Sequence, residues 1–263
     1  MIRVDTASRL HLGLLSTGEV HSRSFGGAGL MIDDPGLSVC VERSDRWSAE
    51  GPLSERALAV AQDLSRDALA IRVEKAPLDH VGLGTGTQLS LAIAKALSAL
   101  AGEDASALDL SQRTGRGLRS AIGVNGFDLG GFLVDAGKSV NDSIAPLVVR
   151  EPVPPEWRFV IAVPESERGL FGPSELQAFR DLGANPPQET DALCRLLVLG
   201  VLPAIAAEDV SGFGAAITEY GRKAGELFAD IQGGPYASSA IASRVEFALE
   251  NGASGAGQSS WGP

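Results

Sequence analysis

Residues 80–100 read HVGLGTGTQLSLAIAKALSAL, from His80 to Leu100, and their reading decides the fold. Gly82, Gly84 and Gly86 punctuate a short loop, and small and apolar residues at helical spacing then predict a helix over 88–101. Glycines let successive backbone N–H groups turn toward one point with no Cβ in the way. Thr85 and Thr87 add hydroxyls, and the helix behind adds its unpaired first amides and the positive end of its dipole. An oxyanion, most often phosphate, is the expected occupant. The spacing is neither the Gly-Lys-Ser/Thr ending of a P-loop nor a G-x-G-x-x-G that opens a helix. A tight strand-to-helix connection accounts for the same glycines.

The flanks supply strands on one side and helices on the other. MIRVDTASRLHLGLL (1–15) alternates around Val4, Ala7, Leu10 and Leu12 as an early strand would. LMIDDPGLSVCVERSDRWSAEGP predicts a strand, a turn at Asp33 to Gly36, and a second strand over Leu37 to Glu42. SERALAVAQDLSRD predicts a helix capped by Ser54, and ALAIRVEKAP a strand ended by Pro77. Past the loop, EDASALDLSQRTGR predicts a helix. In SAIGVNGFDLGGFLVDAG, Gly-rich turns flank a short apolar run from Phe132 to Val134. WRFVIAVPES predicts a strong strand. PSELQAFRDLG, 188–207 with a break near Gly200 and Pro203, 214–231 and 238–250 predict helices. The Pro-rich SIAPLVVREPVPPEW is the best boundary candidate, dividing 1–150 from 151–263. The last segment, NGASGAGQSSWGP, has the composition of a loop that enters another strand, so a missing final element is expected. The whole is an α+β chain.

Composition narrows the function classes. At 263 residues and 44% hydrophobic content, the chain can bury a sizeable core, as one large domain or two intimate ones. A net charge of -11 gives no general attraction to a polyanion, which argues against nonspecific nucleic-acid binding but leaves room for a basic pocket. Cys40 and Cys194 read as ordinary buried thiols. No secretory leader or membrane span is legible, and a cytoplasmic location is the expectation.

Three Arg-bearing segments lie beside glycine turns: Arg9 with His11 on the first strand, His21 and Arg23 in HSRSFGGAG, and Arg113, Arg116 and Arg119 in RTGRGLRSAIG. In an acidic protein these suggest a basic pocket for a small multiphosphate ligand, against solvated surface charges. Asp33 and Asp34 either orient a divalent ion or cap the Pro-Gly turn; Asp128 and Asp135 carry the same two readings. His80 is a polar residue at a strand end or a base.

The segments RLHLGLL, SFGGAGLMIDDP, HVGLGTGTQLSLAIAKAL and GRGLRSAIGVNGFDLGGFLVDAG together resemble the β-ribofuranosylaminobenzene 5'-phosphate synthases. These form a branch of the galactokinase, homoserine kinase, mevalonate kinase and phosphomevalonate kinase (GHMP) superfamily. GASGAGQSSWGP resembles that superfamily's third glycine motif. The resemblance implies a GHMP-kinase-like two-lobed fold, with an N-terminal ribosomal protein S5 domain 2-like lobe and a C-terminal ferredoxin-like α/β lobe. It also implies condensation of phosphoribosyl pyrophosphate with 4-aminobenzoate or a close analogue. Pyrophosphate and carbon dioxide are released, in methanopterin-type one-carbon cofactor biosynthesis. Magnesium, with Asp33 as a candidate contact for it or for the ribose, and a homodimer come with it.

Site roles follow by the same resemblance. Gly82, Gly84, Thr85, Gly86 and Thr87 would cradle phosphate, joined by Arg119, Ser120, Gly255, Gly257, Ser259 and Ser260. Arg9, His11, Arg23 and Arg116 are the catalytic candidates, with donors on the departing oxyanion stabilising the charge that develops there. His11, Arg119 and Arg168 are candidates for clamping the benzoate. Many kinases of the superfamily have Ser-Gly-Ile/Met-Asp before a Gly-Gly pair, the Asp acting on the acceptor hydroxyl. Here Ser120-Ala121-Ile122-Gly123 stands before Gly130 and Gly131, and glycine supplies no base. A kinase would need a substitute such as Asp128 or Asp135, and a noncatalytic homologue would bind no phosphorylated ligand tightly.

Overall fold

The computed structural model describes residues 1–164 and 182–260. β1 (Ile2–Leu14) runs antiparallel to β4 (Gly27–Arg43) along its length, from Ile2 opposite Val41 to Leu14 opposite Gly27. A short hairpin of β2 (Glu19–Val20) and β3 (Arg23–Ser24) connects them. The other edge of β4 is shared: its second half pairs with β6 (Leu69–Lys75), itself flanked by parallel β5 (Ser48–Glu50). Its first half pairs with β7 (Phe132–Asp135), followed by β8 (Leu147–Glu151).

The expected turn at Asp33 to Gly36 does not reverse the chain. β4 continues through it, and residues 33–36 form an excursion opposite Ala7, between the pairs Thr6 with Leu37 and Ser8 with Ile32. Ser8 Oγ donates to the Pro35 carbonyl at 2.6 Å, so a side chain satisfies a carbonyl that the ladder leaves over. Turn-forming residues inside a long paired strand make a bulge when both flanks keep their partners.

Helices cover the sheet in two groups. Against Leu37, Val39, Val41, Leu69, Ile71 and Val73 pack α1 (Ser54–Leu64) and α2 (Thr85–Leu100), through Ala57, Ala61, Leu89 and Ile93. The N-cap of α1 is Leu53, in the left-handed region and with no side-chain cap, so Ser54 is its first helical residue rather than its cap. α3 (Ala107–Thr114) has a full capping box, Ser106 and Asp109 bonding each other's amides. α4 (Ile122–Leu129) is a helix where Gly-rich turns were expected. Ile122 through Asn125 and Gly126 are buried all round, and packing overrides the weak helix propensity of its two glycines.

The second group belongs to the C-terminal half: α5 (Pro187–Leu196), a π-turn over Leu197–Val201, α6 (Leu202–Ala206), α7 (Val210–Glu226), α8 (Ala229–Gln232) and α9 (Ser239–Glu250). The break expected near Gly200 and Pro203 is this π-turn. Leu193, Val201, Phe213, Ile217 and Tyr220 join Leu10, Leu30, Phe132 and Val134 of the sheet in one core.

The segment from Trp157 has the strand alternation read from sequence, with Trp157, Phe159, Ile161 and Val163 on the core and Arg158, Val160 and Ala162 exposed. Trp157 and Phe159 flank Phe213, with ring centroids at 4.8 and 6.4 Å. Among the described residues this segment has no ladder partner and is not a strand, because alternation reports packing whereas a strand also needs a neighbour. The rest of that prediction, most of the PSELQAFRDLG helix and Arg168 lie outside the described residues. No helix among the described residues is long and apolar enough to cross a membrane.

Candidate active site

α2 begins at Thr85, three residues earlier than the periodicity suggested, so Gly86 and Thr87 belong to its first turn. Gly84, at φ 70°, is the N-cap, a conformation that a β-carbon would strain. Thr87 N and Gln88 N both donate to the Gly84 carbonyl, at 3.0 and 3.2 Å, so the Thr87 amide is already engaged. Thr85 Oγ1 donates to the Leu78 carbonyl at 3.1 Å and holds the loop rather than a ligand. What remains for an anion at this helix start is the amides of Thr85 and Gly86, with the dipole behind them.

Beside this turn opens a cavity of about 390 Å³, lined by Arg9, His11, Thr87, Arg116, Arg119, Ser120, Gln258 and Ser260 on its polar side. The rest of the lining includes Leu12, Gly221, Ala224, Gly225 and Phe228, apolar or small residues of β1, α7 and the turn after it. The three arginines come from β1 and from the loop between α3 and α4, which the sequence placed far apart. Arg116 Nε donates to Ser90 Oγ at 3.2 Å on the flank of α2. Burial, followed by the like charge of Arg56, lowers the Arg116 guanidinium from its ordinary value, and Asp79 opposes them.

Arg56, which sequence reasoning did not single out, covers the first turn of α2 just outside the cavity lining. It projects from α1, pairs with Asp79 Oδ2 at 2.5 Å, and stands where a β-carbon on Gly86 would overlap it. Its only signal in the sequence was an arginine in the first turn of a helix, which solvation explains equally well. Asp79 also lies 3.3 Å from His80 Nε2, so His80 belongs to this outer ion-pair group and not to the cavity lining.

His11 sits at an irregularity in β1, where the register slips between His11 and Gly13. Such a bulge re-aims neighbouring side chains. Its Nε2 lies 3.1 Å from Ser120 Oγ. Burial first, then Arg9 and Arg119, push the imidazole down to about 3. Burial and the two arginines thus favour the neutral imidazole, and Arg119 lines the same cavity.

The C-terminal glycine segment closes over the loop, though through serines. Ser259 Oγ donates to the Gly82 carbonyl at 2.7 Å and accepts the His11 amide at 3.0 Å; Ser260 N donates to the His11 carbonyl at 2.8 Å. A β-carbon on Gly82 would overlap the Ser259 carbonyl, and Gly255 packs on the backbone of Gly214 in α7. Gly82, Gly255 and Ser259 thus position the site, whereas Ser260 lines it; Gly257 does not line the cavity.

Arg23 and Asp33 also lie outside the lining. Arg23 is held by Asp142 at 3.0 Å and by the Gly137 carbonyl at 2.9 Å, away from the cavity lining. Asp33 is exposed on the β4 excursion and does not line the cavity; its neighbour Asp34 pairs with Lys75 at 2.5 Å. No group of three His, Cys, Asp or Glu that could hold a metal ion occurs among the described residues. Gly123 does face the site: a β-carbon there would meet Arg9 Cδ, Thr87 Cγ2 and Gln88 Nε2 at 3.5–3.7 Å. Neither substitute carboxylate is presented to the cavity. Asp128 Oδ2 accepts the Ala107 amide at 2.8 Å, and Asp135 is buried behind Ser120.

Residues 53–134, which carry the loop and α2, match the GHMP kinases N terminal domain. Over 99% of its length the chain is 32% identical to a Beta-ribofuranosylphenol 5'-phosphate synthase of Methanothermobacter thermautotrophicus, covering 86% of that protein. The chain belongs to this synthase family, within the GHMP superfamily. Another family member so named, from Archaeoglobus fulgidus, is 32% identical over 86% of this chain and 78% of its own. Solved structures agree on the two-lobed fold, an N-terminal sheet lobe with a C-terminal lobe that is helical in the described residues. The mevalonate kinase of Methanococcus jannaschii superposes with a TM-score of 0.64 at 11% identity, covering 99% of this chain and 87% of that one. The Streptococcus pneumoniae phosphomevalonate kinase gives 0.62 at 14% identity, covering 94% and 84%. At such identities the kinases share the fold alone. The synthase family is thus a GHMP enzyme family in which this chain has glycine at position 123.

Proposed function

We propose that the protein is a phosphoribosyltransferase that joins phosphoribosyl pyrophosphate to a 4-substituted benzoate and releases pyrophosphate and carbon dioxide, as part of methanopterin-type cofactor biosynthesis. The observation that carries this reading is the lining of the cavity. Three arginines line the cavity beside the first turn of α2, and among the described residues no carboxylate lines the same space. A kinase needs a base at its acceptor hydroxyl; a pyrophosphate-releasing transferase needs cations at its leaving group.

In this reading Arg9 and Arg116, with the Thr85 and Gly86 amides, hold the pyrophosphate and stabilise it as the bond to ribose C1 lengthens. Fixed donors in a water-poor site do this without reorganising as charge develops. The small apolar wall of Gly221, Ala224, Gly225 and Phe228 accepts the flat ring, and Arg119 takes the benzoate carboxylate. The ring carbon bearing that carboxylate attacks C1, and loss of carbon dioxide restores aromaticity. A divalent ion would enter with the diphosphate, as part of the substrate. A homodimer is part of the proposal and is checked by sedimentation.

The relatives are named for a phenol product, so the para substituent is an amine or a hydroxyl. The protein is incubated with phosphoribosyl pyrophosphate, magnesium and carboxyl-labelled 4-aminobenzoate or 4-hydroxybenzoate. Release of labelled carbon dioxide with equimolar pyrophosphate is expected from at least one acceptor; release from neither sinks the reading.

A further inference from the structure

The carboxylate of Asp135 takes no part in the steps above, yet it is linked to the cavity. At the end of β7 it is fully buried; its Oδ2 accepts the Ala121 amide at 2.8 Å and its Oδ1 the Gly137 amide at 3.1 Å. The Ser120 hydroxyl donates to the same Oδ2 at 3.3 Å, and His11 Nε2 lies 3.1 Å from that hydroxyl oxygen. An ionised carboxylate only accepts hydrogen bonds. The Ser120 proton therefore points to Asp135, and the Ser120 oxygen turns a lone pair toward His11 Nε2, which must then carry the imidazole proton. Among the described residues the other ring nitrogen, Nδ1, has no hydrogen-bond partner, and His11 lines the cavity.

We propose that Asp135, acting through Ser120, fixes His11 in its Nε2–H tautomer and so leaves Nδ1 to accept the hydroxyl proton of a phenolic acid bound in the cavity. The second half of this rests on the synthase reading; the tautomer does not. The ring carbon bearing the carboxylate bonds to ribose C1 while the C1–O bond breaks, its electron pair leaving with pyrophosphate. The hydroxyl proton passes to Nδ1, giving an imidazolium and a ring carbonyl. The bond to the carboxylate then breaks to release carbon dioxide, its electron pair restores the ring, and the oxygen takes the proton back from Nδ1. An amine at the same ring position pushes electrons from its own lone pair and needs no proton removed first. Asp135 is a positioning residue here, and His11 the group that touches the acceptor.

The charged and titratable groups around this chain come from β1, α7 and the loop before α4. Arg9 lies on the strand of His11, Arg119 before α4, and Tyr220 of α7 close to Asp135. β4 and the C-terminal segment face the chain with uncharged residues, Gly27 and Gly29 from the first and Ser259 and Ser260 from the second. Burial raises the Asp135 carboxyl to about 6, so its ionisation falls within reach of an activity profile.

The test uses Ser120→Ala, which cuts the link and leaves both backbone donors on Asp135, with Ser120→Thr as the conservative rescue. Nitrogen NMR of ¹⁵N-histidine-labelled protein without ligand reads the tautomer, the His11 signal being assigned by its loss in His11→Gln. The wild-type protein is expected to show Nε2–H, and Ser120→Ala a mixture of tautomers. With 4-hydroxybenzoate, kcat should fall about 100-fold in Ser120→Ala and recover in Ser120→Thr. The acid limb of the kcat profile near pH 6 should disappear, and turnover of 4-aminobenzoate should fall much less. An Nδ1–H tautomer in the wild-type protein, an unchanged tautomer in Ser120→Ala, or equal losses on both acceptors overturns the proposal. Absence of turnover by the wild-type protein overturns the synthase reading and the proton transfer with it, while the imidazole signals still decide the tautomer.

Discussion

Arg56 Nη1 lies 2.5 Å from Asp79 Oδ2, and the same guanidinium covers Gly86 in the first turn of α2. The pair holds a cation over the free amides of that turn, where charge-assisted bonds to a phosphate are strongest. Arg56→Ala is expected to weaken binding of pyrophosphate ten- to a hundredfold, or about 1.5–3 kcal/mol, measured by titration calorimetry. Unaltered affinity would remove Arg56 from the site.

His11 and Asp135 give stability two opposed dependences on pH. The folded state holds the His11 imidazole at about 3, below its ordinary 6.5, so between those values the unfolded chain binds more protons and stability rises with pH. It holds Asp135 at about 6, above 3.8, so between those values the folded state binds more and stability falls as pH rises. From about pH 4 to 6 the two slopes, each up to about 1.4 kcal/mol per pH unit, cancel. Asp135→Asn should leave a stability that climbs from pH 4 to 6, and His11→Gln one that declines over the same range. Urea unfolding across that interval checks both signs.

Gly82 and Gly102 share a left-handed φ near +80°, but only Gly82 lies under Ser259; nothing stands within 4 Å of a β-carbon at Gly102. Gly102→Ala should cost only the backbone strain, about 1–2 kcal/mol. Gly82→Ala should cost more and also weaken ligand binding, because the serine clasp must move. Equal losses in urea midpoints would show that the clasp adds nothing.

Gly123→Ala places its new methyl at ordinary contact distance from Arg9, Thr87 and Gln88, inside α4. The gain in helix propensity should raise stability by about 1 kcal/mol, seen as a higher Tm. A lower Tm would mean that the space beside Gly123 is less than the backbone suggests.

The parts of the site carried by local spacing were legible in the sequence, and the parts made by convergence were not. The loop into α2 was readable because three glycines and a helical run are neighbours in the chain. The pairing of Arg9 with Arg116 and Arg119 required β1 and the loop before α4 to meet, which no spacing encodes. Thr85 shows the reverse error: a hydroxyl in a phosphate loop looks like a ligand donor until the Leu78 carbonyl is found in front of it. α4 was hidden because Gly123 and Gly126 lower local propensity, while the burial that overrides them comes from other elements. Trp157 to Val163 was read correctly in its alternation, but among the described residues it has no ladder partner, since only the first is a property of the segment itself.

The bond from the His11 amide to Ser259 Oγ spans a sequence separation of 248. A contact that closes so large a loop forms only after the intervening chain has been ordered, so the pocket is expected among the last parts to assemble and the first to open. A ligand that requires it shut therefore acts as a cross-link between the two ends of the described chain. Its stabilising effect grows with ligand concentration and extends to every element between them.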